Sequence, residues 1–340
     1  MGYRLQPAAM DKILGEWAGD NIIFAPKTMP GYGAFSDTDS VRYAEVTSVE
    51  EIEFAQKSQF VFKEILTPLS QTLFFFTEDE VKEADAPKRG AVVFLRSCDL
   101  HAVKRLDEIY LRNGPEDSYY RRIRDRVKFV LIGCPESFEN CFCVDMQTNT
   151  SDSYDAYLEI RDGMILVDNR NPDWDAVFRE RAEGEERVFP AFAGETRVRV
   201  SVPDKLGIEV MKSGMWAEYD TRCIACGRCN FSCPTCTCYT MQDVFYTDNG
   251  RVGERRRVSA SCMVDGFTTV AGGGEYRREY GQRMRFKALH KVYDYKKRFG
   301  YHMCVGCGRC DDVCPEYISF SGCINKLDGA MKEVTANANK

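Results

Sequence analysis

One cysteine phrase, written twice, constrains this chain more than any other feature. Cys223, Cys226, Cys229 and Cys233-Pro234 follow the spacing C-x2-C-x2-C-x3-C-P, and Cys304, Cys307, Cys310 and Cys314-Pro315 repeat it. A [4Fe–4S] cluster needs thiolates that close around a compact cube, and a tight loop with this spacing turns successive sulfurs inward. Gly227 and Gly308 allow the backbone torsions of such a loop and bring amide N–H groups near the sulfurs. Structural zinc favours two separated C-x2-C pairs instead. Disulfides are disfavoured because cysteines so close along a loop rarely meet the required geometry. The C-x5-C and C-x3-C spacings of a siroheme site are also present, but the intervening Cys226 and Cys307 favour the cluster reading. The spacing predicts two [4Fe–4S] clusters.

A chain of 340 residues with 44% hydrophobic content has room for two domains with cores of their own. Its sixteen cysteines are therefore not needed as covalent staples. No stretch reaches the roughly eighteen apolar residues of a membrane span. The opening residues carry neither a secretory apolar region nor a myristoylation motif. These features point to a cytoplasmic chain whose thiols stay reduced and bind metal. The net charge is −6, although the segment from Arg251 to Gly300 is strongly basic. An acidic body disfavours nucleic acid as a partner and leaves the basic segment as a docking face at most.

The pattern predicts an α/β domain over 1–210 and an α+β, ferredoxin-like dicluster domain over 211–340, with a long insertion between its two motifs. GAVVFLRSC, ending at Cys98, and VKFVLIGCP, which contains Cys134, read as strands buried on both faces. Between them Ala102, Val103, Leu106, Ile109 and Tyr110 recur at helical spacing, with Asp99 as the expected N-cap. A second helical stretch follows near Tyr119–Arg126, completing a parallel crossover. Further on, Asp162-Gly163 is suited to a tight hairpin within YLEIRDGMILV. Residues 196–202 alternate like a half-exposed strand, and 203–219 read as a helical connector.

If those two strands are parallel neighbours, Cys98 and Cys134 share the sheet edge where open α/β sheets place their sites. With Cys141 and Cys143 from the following loop, they form a candidate third cluster site. Zinc, or simple packing of buried thiols, are the alternatives. Cys236, Cys238, Cys262 and Cys323 read mainly as packing. No nucleophile–base pair is apparent, and His101, His290 and His302 read as core or surface residues. A dinucleotide fingerprint is absent. Gly272-Gly273-Gly274 reads as a flexible turn before an anion cradle. The helical stretch over 275–299 carries Met284, Leu289, Val292 and Tyr295 as a core stripe, its charges reading as a solvated face.

The twin motifs resemble those of two-cluster bacterial ferredoxins, in which the fourth cysteine of each motif serves the other cluster. That resemblance implies one cluster on Cys223, Cys226, Cys229 and Cys314, and a second on Cys304, Cys307, Cys310 and Cys233. Several longer phrases carry a further likeness: FAPK at 24–27, SCDLHAVKRLDEIYL at 97–111, the FCV loop after Cys134, SCMVDGFTTVAGGG and both cysteine motifs. Together they resemble the iron–sulfur electron-transfer subunit of anaerobic sulfite reductase and, more loosely, the β subunits of cytosolic sulfhydrogenases. The first resemblance implies a cytoplasmic complex that reduces sulfite to sulfide with NADH. A flavin subunit would bind NADH and a siroheme subunit would bind sulfite. This chain would carry single electrons between them, with no substrate-reducing site of its own. The looser likeness implies the alternative, a relay subunit of a NiFe hydrogenase.

Overall fold

The computed structural model describes residues 1–35 and 37–338. In chain order its strands are β1 (Gly2–Leu5), β2 (Asn21–Met29), β3 (Ser40–Glu45), β4 (Ser70–Phe76), β5 (Val81–Glu83) and β6 (Gly90–Leu95). These are followed by β7 (Val127–Ile132), β8 (Ala156–Arg161), β9 (Met164–Asn169), β10 (Gly184–Glu185), β11 (Tyr239–Phe245) and β12 (Gly253–Ser259). Two compact units emerge. The first comprises Met1–Thr67, Asp85–Phe138 and Thr148–Glu195; the second comprises Pro68–Ala84, Glu139–Gln147 and Thr196–Lys340.

The first unit is a mixed sheet in the order β10-β1-β9-β8-β7-β6-β2-β3. β2, β6, β7 and β8 run parallel, and antiparallel strands flank them on both sides. Val92, Phe94, Val130 and Ile132 are buried in its core, as strands covered on both faces require. The expected crossover from β6 to β7 is present, through the helices Ser97–Leu111 and Ser118–Arg124. Asp99 is not its N-cap. Arg96 holds that position, and Asp99 lies buried in the first turn. The reason is local: the Arg96 guanidinium donates to the carbonyls of Gly133, Phe54 and Gln56 at 2.7, 2.7 and 3.0 Å, fixing the strand end one turn earlier. Asp162 and Gly163 turn the β8–β9 hairpin, both with positive φ.

The second unit holds an antiparallel sheet in the order β11-β12-β4-β5. Beside it in the chain comes a helix that is α-helical over Tyr280–Leu289, π-helical over His290–Asp294 and α-helical again over Tyr295–Phe299. Met284, Leu289 and Val292 join the core of this unit with Phe142, Trp216, Tyr219 and Phe320. Two expectations change here. Residues 196–202 form no strand, because side chains take their backbone donors. The Asp145 carboxylate accepts from Val200 N at 2.7 Å, and Asn325 Oδ1 accepts from Ser201 N at 2.9 Å. The connector after 203 is not one helix but two short 3-10 turns, Ile208–Lys212 and Gly214–Ala217, leading into the helix Glu218–Arg222. Gly207 and Gly214 interrupt it. No helix among the described residues is long and apolar enough to cross a membrane.

Candidate iron–sulfur centre

Each cysteine phrase folds as a loop that ends in one short helical turn. Gly227 and Gly308 begin those turns with φ of 75° and 70°, the left-handed region that glycine enters without strain. Amide N–H groups point at the sulfurs. Ala225 N lies 3.4 Å from Cys223 Sγ, Gly306 N lies 3.5 Å from Cys304 Sγ, and Ile318 N lies 3.3 Å from Cys314 Sγ. Such donors favour negative charge on the sulfurs and tune any cluster they hold.

Two cavities result. The first is lined by Cys223, Cys226, Cys229, Cys310 and Cys314. The second is lined by Cys229, Cys233, Cys304, Cys307 and Cys310. Cys314 of the second motif thus lines the cavity of the first, and Cys233 of the first motif lines that of the second. Cys229, Cys310, Lys287 and Phe320 line both cavities and form the wall between them. Among the described residues, no three His, Cys, Asp or Glu side chains converge as a single metal ion requires. The thiols instead stand around cavities, and this donor set fits [4Fe–4S] clusters.

Burial sets the electrostatics. It raises the thiol pKa of Cys223 and Cys229, pushes Cys304 up to about 12, and drives Cys310 well above the ordinary value. Two lysines lie among these sulfurs, each buried. Burial acts to neutralise Lys287, but Cys229 and Cys310 as thiolates outweigh it and favour the charged ammonium. Lys291 is favoured in its charged form against the same penalty by Cys233, Cys236 and Cys304 as thiolates. The sequence pattern suggests a solvated face for these charges, and the structure buries both. Their spacing of four residues on a helix between the motifs is the signal that could have found them.

The π-helical turn has a visible use. Its Lys291 carbonyl accepts from Met303 N at 2.9 Å and Cys304 N at 3.3 Å, and its Val292 carbonyl faces His302 Nδ1 at 3.0 Å. Carbonyls released from regular helix pairing thereby position the start of the second motif.

The third set of cysteines is placed differently. β6 and β7 pair in parallel with Leu95 opposite Leu131, so Cys98 and Cys134 stand at one sheet edge, as expected. Arg96 Nη1 lies 3.4 Å from Cys134 Sγ. Cys98 and Cys134 belong to the first unit, whereas Cys141 and Cys143 belong to the second. Within that second unit Cys141 donates to the Cys307 carbonyl at 3.5 Å, and Phe142 N donates to the Gly306 carbonyl at 2.8 Å. Their loop therefore braces the second motif.

Cys236, Cys238 and Cys262 interact, and Cys238 pulls the Cys262 thiol below its ordinary range. Asn230 Nδ2 donates to Cys262 Sγ at 3.1 Å. Cys323 is buried against Tyr219. His101 pairs with the Thr150 carbonyl, and His290 stacks on Phe286. Gly272–Gly274 form the turn that closes the Thr269–Glu275 bridge.

Residues 222–318 match the family described as a 4Fe-4S dicluster domain. Over 304 residues the chain is 31% identical to Sulfhydrogenase 2 subunit beta of Pyrococcus furiosus, covering 84% of this chain and 89% of that protein. No solved structure matches. The chain therefore belongs to the sulfhydrogenase β-subunit family, as an iron–sulfur electron-transfer subunit built around a 4Fe-4S dicluster domain.

Proposed function

We propose that this chain relays single electrons between a flavin subunit that oxidises NADH and a siroheme subunit that reduces sulfite to sulfide in a cytoplasmic complex. The observation that carries the relay is the pair of adjoining cavities with a common wall of Cys229, Cys310, Lys287 and Phe320. In this reading Cys223, Cys226, Cys229 and Cys314 hold one cluster, and Cys304, Cys307, Cys310 and Cys233 the other. A bound [4Fe–4S] cluster supplies a one-electron couple, which matches two-electron flavin chemistry to one-electron steps. The protein supplies the ligands, the N–H groups that temper sulfur charge, and the apolar Met263, Met284 and Ile318 that keep water from the first cavity. Exposed Ile224 and Tyr317 present that cavity's side to a partner.

A second reading, a relay subunit of a NiFe hydrogenase, is favoured by the name of the Pyrococcus relative. The two separate in one experiment on anaerobically purified protein. The lone chain should be reducible by dyes and inert toward sulfite, and adding its flavin and siroheme partners should give NADH-dependent sulfide. Co-purification with a nickel protein, together with hydrogen-dependent cluster reduction, would establish the second reading. Sulfite turnover by the lone chain would overturn both. The third cluster proposed on Cys98, Cys134, Cys141 and Cys143 is tested by composition. About twelve irons per chain sustain it, and about eight return these thiols to packing.

A further inference from the structure

Lys287 and Lys291 are each only 4% exposed. An ammonium group taken out of water must be compensated by the groups it meets. Lys287 meets both cavities. It lines both together with Cys229 and Cys310, and its Nζ lies 4.9 Å from the Phe320 ring centroid. Lys291 meets only the second cavity, with its Nζ fixed by the Thr235 carbonyl at 2.9 Å, Thr235 Oγ1 at 2.8 Å and Met303 Sδ at 3.6 Å. One helix thus carries a cation into the shared wall and a second cation beside the second site alone.

We propose that Lys287 is a fixed positive charge shared by the two clusters, raising the reduction potential of both, and that Lys291 raises the potential of the second alone. The inference rests on the cluster reading above. A four-iron cluster with four thiolate ligands is an anion, and reduction adds one electron and one further negative charge. A nearby cation stabilises the reduced form more than the oxidised form, most strongly where water is excluded. No proton moves: each ammonium stays charged throughout, and the electron comes from the partner that supplies the relay.

The test is an anaerobic potentiometric titration of the full chain followed by EPR, with iron content measured alongside. Lys287→Met should shift both cluster signals to lower potential, Lys291→Met only one, and Lys287→Arg should restore the wild-type values. Unmoved potentials in Lys287→Met with both clusters retained would overturn the proposal, as would equal shifts of both signals in Lys291→Met. Where the Met variant fails to hold clusters, Lys287→Gln gives the neutral reading. Cluster loss in both neutral variants but not in Lys287→Arg sustains the need for charge. Loss in the Arg variant as well would assign Lys287 to packing and overturn it. A wild-type chain without iron or cluster signals would instead sink the cluster reading itself.

Discussion

The two copies of one cysteine phrase live in different surroundings. In the first, Ile224, Cys226 and Arg228 are exposed while Ala225 and Gly227 between them are buried. In the second, Val305, Gly306, Cys307, Gly308 and Arg309 are all buried. The difference comes from the loop at 139–147. A Cβ on Gly308 would stand 2.2 Å from the Asn140 carbonyl oxygen, and one on Gly306 would stand 2.6 Å from the Phe142 carbonyl. In the first copy a Cβ on Gly227 meets only the ends of side chains, nearest Val264 Cγ2 at 2.7 Å, and position 225 already carries an alanine. The lesson is that local spacing makes the cage, and what packs on it decides whether the cage faces a partner or the interior.

The sharpest way to break this comparison is a methyl group at equivalent positions. Gly308→Ala must displace backbone and hold a left-handed torsion, so it should cost roughly 3 kcal/mol and strip the second cluster. Gly227→Ala should cost less, since Val264 can yield. Thermal unfolding and iron content of the two variants check the order. Next in size is ligand loss. Cys226→Ser and Cys307→Ser should each remove about four irons, and the Cys307 variant should be the less stable because its site is interior. Exposure should also rank cluster removal. An iron chelator applied to the wild type should bleach the first cluster before the second, followed by EPR of the reduced protein.

A pH series extends the comparison. Thiols whose pKa is raised are protonated in the metal-free chain at neutral pH, and cluster uptake must expel those protons. With Cys304 at about 12 and Cys310 well raised, uptake at the second site should increase as pH rises from about 7 to about 9. At the first site burial raises Cys223 and Cys229 too, so uptake there should change in the same direction. Reconstitution of apo protein at several pH values, read by EPR, measures both. The smallest effect expected is Ala225→Gly. It relieves a φ of 55° at a non-glycine residue but loosens the unfolded chain, for a net gain below about 1 kcal/mol by denaturant titration.

Much of this was legible in the sequence. Spacing alone pointed to the cluster loops, apolar runs to β6 and β7, and Asp162-Gly163 to the hairpin. What was hidden depended on contacts distant in sequence. Residues 68–84 and 139–147 belong to the second unit although they precede the break expected near 210. Residues 196–202 alternate as a strand does, yet Asp145 and Asn325 take their amides. The basic helix looked solvated because a lysine is normally exposed, and only the sulfurs around it make burial tolerable. Cys262 lies far along the chain from Cys236 and Cys238, so their interaction had no local signature.

The reduced EPR spectrum of Cys233→Ser decides whether the two cages are cross-wired. Cys233 belongs to the first phrase but faces the second cavity. Crossed ligation predicts a spectrum like that of Cys307→Ser, with the second cluster lost and the first retained. A spectrum like that of Cys226→Ser would mean instead that each phrase cages its own cluster, and would rule crossed ligation out.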